Sequence, residues 1–136
     1  MKSLIFFLVK RFVLSLFIIA AFPVYAGGHG GGGPSGPEPL IFTVNVGGPE
    51  TTMKFLQVTM VFEFGAPEAA AHLAEIKPKV QHQIILRLSS EDSVHLQTAK
   101  GKLELQERLV EDLNALLHAT PKTGVSEVLF TSFIIQ

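Results

Sequence analysis

The sequence predicts an α+β domain: a small, mainly antiparallel sheet with helices packed on one face. Two neighbouring segments alternate apolar and polar residues with a period of two, as strands do. Apolar residues at helical spacing fill the stretch that follows, and the chain closes on a third strand-like segment. Two strands, then helices, then a returning strand favour one helical layer on the sheet. No internal repeat interrupts this order.

The first two strands are predicted over 40–46 and 55–64, with the apolar stripe of each on the even-numbered positions. The second segment is the longest alternation in the chain and predicts a half-buried antiparallel strand. The segment Gly47-Gly48-Pro49-Glu50 between them predicts a turn. We therefore expect the two strands to pair with each other.

The last strand, Val125–Gln136, has apolar residues on both faces. By strict alternation one face carries Val125, Leu129, Phe133 and Ile135, and the other carries Val128, Phe130 and Ile134. This pattern predicts a strand that is covered on both sides. A strand that reaches Gln136 also predicts a carboxyl-terminal residue that is held in place, although chain ends usually fray.

Proline residues start the first two predicted helices. Gly65 to Pro67 ends the second strand, and an alanine-rich helix is expected over 68–75. Pro78 begins another helix, and the residues expected to face the core are Val80, Ile84, Ile85 and Leu88. The segment 89–92 predicts a helix stop followed by a new N-cap.

The longest helix is expected from about Thr98–Lys102 to about His118, and Pro121 and Gly124 follow it. Its apolar stripe comprises Leu105, Leu109, Leu113, Leu116 and Leu117, with Val110 beside it. Its polar side comprises Glu104, Glu107, Arg108 and Glu111, which we interpret as a solvated surface. A glycine early in this helix, Gly101, predicts close packing or a cap.

The length of 136 residues allows one domain with an N-terminal extension. Without Lys2, Lys10 and Arg11, the three basic residues of the first 26, the charge count changes from 11 basic against 12 acidic to 8 against 12, a net charge of −4. This balance argues against a nucleic-acid partner, which requires a basic surface. The absence of cysteine excludes disulfides, thiolate metal sites and a cysteine nucleophile.

Residues 1–26 predict either a signal peptide or an N-terminal membrane anchor. An apolar run from Phe12 ends at Pro23, and the sequence Val24-Tyr25-Ala26 suits cleavage after Ala26. A retained anchor would have to start near Leu4 and would place Lys10 and Arg11 inside it. Either alternative puts the rest of the chain across the membrane. Residues 27–39 predict a glycine- and proline-rich linker, in which His29 is a solvated residue.

No enzyme motif stands out. The glycine tract lacks a Gly-Lys-Ser/Thr ending, and the histidines His29, His72, His82, His95 and His118 show no zinc-ligand spacing. We therefore predict no catalytic, cofactor-binding or metal-binding residue. His82 is interpreted as a partly buried structural histidine, and Glu91 and Asp92 as residues that cap a helix.

Three stretches resemble the FliL family of flagellar basal-body-associated proteins, in their residues and in their order and spacing along the chain. The clearest is Val128–Gln136, which resembles the closing segment of the family. The second is Leu88-Ser-Ser90, followed by Leu96, Thr98, Gly101-Lys102 and Leu105. The third is Phe42–Val46 ahead of the strand at 55–64. The resemblance covers 40–136, which sets the expected domain bounds.

The resemblance implies a periplasmic domain similar to the stomatin/SPFH fold, which self-associates, in rings in some members. It implies a non-catalytic role next to the stator proteins MotA and MotB, in support of torque, chemotaxis and swimming or swarming. Family members commonly carry an uncleaved transmembrane helix after a cytoplasmic tail, whereas this chain has almost no tail. The sheet edge and the charged face of the long helix are the candidate partner surfaces.

Two other function classes stay open at this point. One is a secreted periplasmic binding or scaffold module of the same fold without a flagellar role, which an apolar pocket of ligand size would favour. The other is a hydrolase, which would need a histidine and a carboxylate that converge in a cleft near His82 or His95.

Overall fold

Residues 38–48 and 52–136 are described by the computed structural model. The strands are β1 (Leu40–Val46), β2 (Lys54–Phe64) and β3 (Val125–Ile135). The helices are α1 (Pro67–Glu75), α2 (Lys77–Ser89), α3 (Ser93–Leu96) and α4 (Ala99–Leu117). The strands form one antiparallel sheet in the order β1-β2-β3. The predicted α+β class, with a small antiparallel sheet, is therefore confirmed.

The alternation predicted for β1 and β2 is confirmed. The two strands pair from Leu40 opposite Met60 to Val46 opposite Lys54. The even-numbered positions face the core, and Leu56, Val58 and Met60 are fully buried. Residues 49 and 50 of the predicted turn lie outside the described part of the chain.

The prediction that β3 is covered on both sides is wrong, because the strand contains two β-bulges. The pairing with β2 shifts between Thr59 and Met60 and again between Glu63 and Phe64, which leaves Thr131 and Ser126 as extra residues. Each extra residue reverses the alternation that follows it. The apolar side chains that face the core are consequently Val125, Val128, Phe130, Phe133 and Ile135, all on one side of the sheet.

The last residue of the chain is fixed by the sheet, as predicted. The backbone N–H of Gln136 donates to the carbonyl of Phe55 at 2.9 Å, and the N–H of Phe55 donates to the carbonyl of Gln136 at 2.9 Å. This pair of hydrogen bonds extends the ladder to the end of the described chain.

The helices bury a continuous apolar layer against the inner side of the sheet. α4 packs against β3, and α2 packs against β1. The stripe of α4 is buried as predicted at Leu105, Leu109, Leu113 and Leu117, whereas Leu116 is only partly buried. Full burial of one leucine side chain contributes about 1.5–3 kcal/mol, so this stripe is a main source of stability.

The stripe of α2 is narrower than predicted. Val80, Ile84 and Leu88 are fully buried, but Ile85 is 43% exposed. The buried residues follow each other at intervals of four, so they lie on one line along the helix. Ile85 is rotated by about 100° from Ile84 at 3.6 residues per turn, which turns its side chain toward solvent.

Within residues 38–48 and 52–136, no helix combines the length and apolar character that a membrane span requires. The predicted signal peptide or anchor, residues 1–26, lies outside the described residues. Of the predicted linker 27–39, only Glu38 and Pro39 are described, and both are exposed.

Candidate functional site: a polar cluster, an acidic groove and the outer sheet face

Four side chains form a polar cluster where the end of α2, the short α3 and the first half of α4 meet: Glu91, His95, Glu104 and Arg108. Nη1 of Arg108 donates to both carboxylate oxygens of Glu91, at 3.0 and 3.1 Å. Nη2 of Arg108 lies 3.4 Å from Oε2 of Glu104, and Nε2 of His95 lies 2.8 Å from the same oxygen. The cluster thus joins three segments through charged groups.

Glu91 is the deepest member of the polar cluster, since its side chain is only 5% exposed. A buried carboxylate is costly unless a cation neutralises it, and the Arg108 guanidinium does so with two hydrogen bonds. The hydrogen bond with His95 lowers the pKa of Glu104, and desolvation opposes this hydrogen bond with a smaller effect. The charges of His95, Lys100 and Arg108 lower the pKa further. Glu104 is therefore an anion over the physiological pH range.

The polar cluster corrects two interpretations of the sequence. Glu91 does not cap a helix but binds Arg108, whereas Asp92 alone caps α3 by accepting from the N–H groups of Val94 and His95. Glu104 and Arg108 are half-buried bonded groups, not a freely solvated surface. Each difference arises because side chains from separate helices meet, which spacing along one helix does not show.

His82 is exposed on α2, so its interpretation as a partly buried structural histidine is wrong. His95 does meet a carboxylate, as the hydrolase alternative requires. That carboxylate, Glu104, is also bound by Arg108 and lies 3.6 Å from Lys100 Nζ. It is therefore engaged in an ion-pair network that links helices.

A second ion pair fastens α2 to α4. Nε of Arg87 donates to Oδ2 of Asp112 at 2.7 Å, and Nη2 of Arg87 donates to Oδ1 at 2.9 Å. This bidentate hydrogen bonding lowers the pKa of Asp112 and raises the pKa of Arg87. Asp112 carried no distinguishing signal in the sequence, because its partner lies on another helix.

Asn114 fixes the start of β3. Its side-chain Nδ2 donates to the carbonyl of Val125 at 2.8 Å, and its Oδ1 accepts from the N–H of Val125 at 2.9 Å. The residue is buried, and a Cβ added to Gly124 would collide with Oδ1. The Asn114 side chain therefore satisfies both backbone polar groups of Val125, and it leaves no room for a side chain at Gly124.

α4 also borders an open groove, which it forms with the loop before β3 and the first residues of that strand. We call it the acidic groove, and its lining consists of Leu103, Gln106, Glu107, Val110, Glu111, Pro121, Ser126 and Glu127. Its volume is about 510 Å3. Leu103 is 60% exposed within it. Glu107 and Glu111 were grouped with Glu104 and Arg108 in the sequence, but the structure places them here, away from the polar cluster.

The outer sheet face is the side turned away from the helices. Ile41, Phe55 and Ile134 are exposed on it, and Val61 lies opposite Leu129. Its charged residue on the paired positions of β2 and β3 is Glu63, because the side chain of the paired Glu127 accepts a hydrogen bond from Gln106 of α4 and lines the acidic groove. Most of this face is therefore uncharged, with apolar and hydroxyl side chains mixed.

A small hollow between α1 and the outer end of the β1–β2 pair has an apolar lining that includes Leu40, Phe62, Phe64 and Leu73. Lys77 and Glu38 border it, and Nζ of Lys77 lies 3.8 Å from Oε2 of Glu38. Its volume of about 220 Å3 is below the roughly 300–1,000 Å3 of ordinary ligand pockets. Among the described residues, no three histidine or acidic side chains are placed to hold a metal ion.

In a comparison with protein families, the family described as "Flagellar basal body-associated protein FliL" matches residues 39–136. The chain belongs to the FliL family. The resemblance seen in the sequence is thus confirmed, and the family places the protein at the flagellar basal body in the cell envelope. A comparison with curated proteins found no match.

The stretches that carry the FliL resemblance have structural roles in this chain. The N–H of Gly101 donates to Oγ1 of the N-cap residue Thr98 at 2.9 Å. A Cβ on Gly101 would overlap the carbonyl of His95, so glycine allows α3 and α4 to approach closely. Both predicted explanations of Gly101, a cap and close packing, are confirmed.

Proposed function

We propose that this FliL-family protein is a non-catalytic accessory of the flagellar motor that supports stator function, and with it swimming, swarming and chemotaxis. The observation that carries the proposal is the family match over 39–136, which covers the whole domain expected at 40–136. A non-catalytic role suits this domain, because its histidine–carboxylate pair, His95 with Glu104, serves to link helices. The proposed partners are the stator proteins MotA and MotB.

The proposal includes self-association, in a ring-like arrangement, and a fold related to the stomatin/SPFH domain. The mostly uncharged outer sheet face supports self-association, because exposed apolar side chains such as Ile41 and Phe55 can be buried between copies. The two edge strands, β1 and β3, offer a further surface for a neighbour.

We place the domain on the periplasmic side of the inner membrane. Residues 1–26 would direct export, either as an anchor or as a signal peptide cleaved after Ala26, and residues 27–39 would act as a flexible linker. Mass spectrometry of the protein purified from its host distinguishes the two, since cleavage gives a chain that begins at Gly27.

The decisive experiment is swimming in soft agar by a clean deletion strain, with filaments counted by microscopy and the gene restored from a plasmid. We expect loss of swimming or swarming although filaments remain, and recovery with the plasmid. Unchanged motility at low and high viscous load would reject the motor function for this protein. The alternative of a periplasmic binding or scaffold module without a flagellar role would then take its place.

If swimming is lost, cross-linking between copies of the FliL-family protein follows. A photo-reactive residue at Phe55, on the outer sheet face, is matched with one at His82, exposed on the helical side. We expect adducts between copies of the chain from position 55 and few from position 82. Equal adducts from both positions would argue against self-association through the outer sheet face.

A further inference from the structure

We propose that the acidic groove binds a basic amphipathic segment of another protein, with an aliphatic side chain in the groove and lysine or arginine side chains at its rim. The groove combines an apolar floor with acidic walls, and the two features together select this chemistry. The inference does not depend on the flagellar assignment.

The floor of the acidic groove is apolar and accessible. Leu103 and Val110 lie on α4, seven residues or about 10 Å apart along the helix axis. Leu103 is 60% exposed, and Val110 is partly buried. Pro121 closes the side that the loop before β3 forms. An aliphatic side chain placed between them would bury apolar surface on both partners.

The rim of the acidic groove is negative. Glu107 and Glu111 stand one helical turn apart on α4, and Glu127 lies across the groove on β3. No lysine, arginine or histidine is among the lining residues. Within the described residues, these three carboxylates take part in no ion pair.

Two neighbouring groups, Gln106 and Arg87, leave the charge of the rim uncompensated. Gln106 donates to Oε1 of Glu127 at 3.1 Å, which orients that carboxylate without neutralising it. Arg87 is near enough for the charge of Glu111 to contribute to its raised pKa, but its guanidinium is bonded to Asp112. The negative charge of the groove is thus available to a partner.

Charge complementarity determines which kind of segment fits the acidic groove. A segment with basic residues about one helical turn apart can face Glu107 and Glu111 together, and an aliphatic residue between them can reach Leu103 and Val110. A purely apolar segment would leave the carboxylates desolvated, and a purely basic one would leave the floor unfilled.

The test uses the full-length chain in a non-ionic detergent and a fluorescein-labelled probe peptide, a repeat of leucine, lysine, lysine, leucine. Binding is followed by fluorescence anisotropy at low and at physiological salt. We expect saturable binding that the double substitution Glu107→Gln and Glu111→Gln weakens at least tenfold. The matched control, Glu68→Gln with Glu75→Gln, removes the same charge from the exposed side of α1 and should change affinity less than twofold.

Two further probes separate the contributions of floor and rim. Leu103→Ser should weaken binding several-fold, and a peptide with serine in place of leucine should bind at least tenfold more weakly. Equal loss in the α1 control, or undiminished binding of the serine peptide, would overturn the proposal in favour of unspecific attraction. If Glu107→Gln with Glu111→Gln instead abolishes self-association in light scattering, the groove is a contact between copies and the proposal is wrong.

Discussion

The exposed face of α4 carries similar charged residues in different states. Glu104 and Arg108 belong to the polar cluster, where each has a bonded partner. Glu107 and Glu111 line the acidic groove and have no ion-pair partner within the described residues. The spacing of charged residues along a helix therefore does not determine what those residues do. The neighbouring elements decide which carboxylates hold the fold together and which are left for a partner.

The largest expected effect comes from removing the cation of the polar cluster. Arg108→Ala leaves Glu91 buried without its partner, so we expect the free energy of unfolding to fall by about 3 kcal/mol. Urea denaturation of the full chain, followed by circular dichroism, measures the change. The control Arg108→Met with Glu91→Met, which removes both charges, should recover most of the loss. A loss below about 1 kcal/mol in Arg108→Ala would mean that the cluster is not structural.

A smaller effect is expected at Asn114, which faces the start of β3 close to the groove side of α4. Asn114→Ala leaves the buried N–H and carbonyl of Val125 without partners, and the stability should fall by about 2 kcal/mol. Hydrogen exchange should show faster exchange at Val125 than at Val58, in the middle of the sheet. Unchanged protection of Val125 would show that this amide does not fix the strand.

The ion pair between Arg87 and Asp112 should make stability depend on pH. Because Arg87 lowers the pKa of Asp112, the contribution of Asp112 is present above its unfolded-state pKa of about 4 and is lost as the pH falls through the folded-state value. Asp112→Asn should lower stability by about 1 kcal/mol at pH 7. Between about pH 5 and pH 2, the stability of the Asp112→Asn variant should fall less than that of the wild type. Parallel pH profiles for the two proteins would contradict this linkage.

The smallest effect is expected in the acidic groove. Glu107 and Glu111 repel each other at a spacing of four residues, so Glu107→Gln with Glu111→Gln should raise stability by about 0.3 kcal/mol. Urea denaturation should therefore place this variant at or slightly above the wild type, whereas Arg108→Ala lies far below it. A loss of more than about 1 kcal/mol would show that the groove carboxylates also hold the fold, and the contrast between the polar cluster and the acidic groove would disappear.

Much of the fold could be predicted because local patterns determine local structure. The alternation in β1 and β2, the prolines before α1 and α2, and the leucine stripe of α4 all gave elements that the structure contains. The exception was β3, where the bulges at Ser126 and Thr131 reverse the alternation. A bulge is set by pairing with the neighbouring strand, so strict counting along one strand misplaces the side chains that follow it.

The candidate sites were less predictable than the fold. The sequence did single out Gly101, Asp92 and the charged residues of α4. It did not indicate that Glu91 binds Arg108, that Asp112 binds Arg87, or that Asn114 holds Val125, since these pairs are 17, 25 and 11 residues apart. Such contacts depend on how helices pack, and no short-range pattern records them.

By itself, the sequence determined the class of the domain, the strands and helices that build it, and its resemblance to the FliL family. These properties follow from apolar periodicity, turn residues and ordered motifs, which act over a few residues. Only the tertiary structure decided that β3 has one buried face and that the charges of α4 divide into a bonded cluster and an open groove. The physical reason is that burial and ion pairing are properties of packed elements, and the same glutamate is structural or available according to what packs beside it.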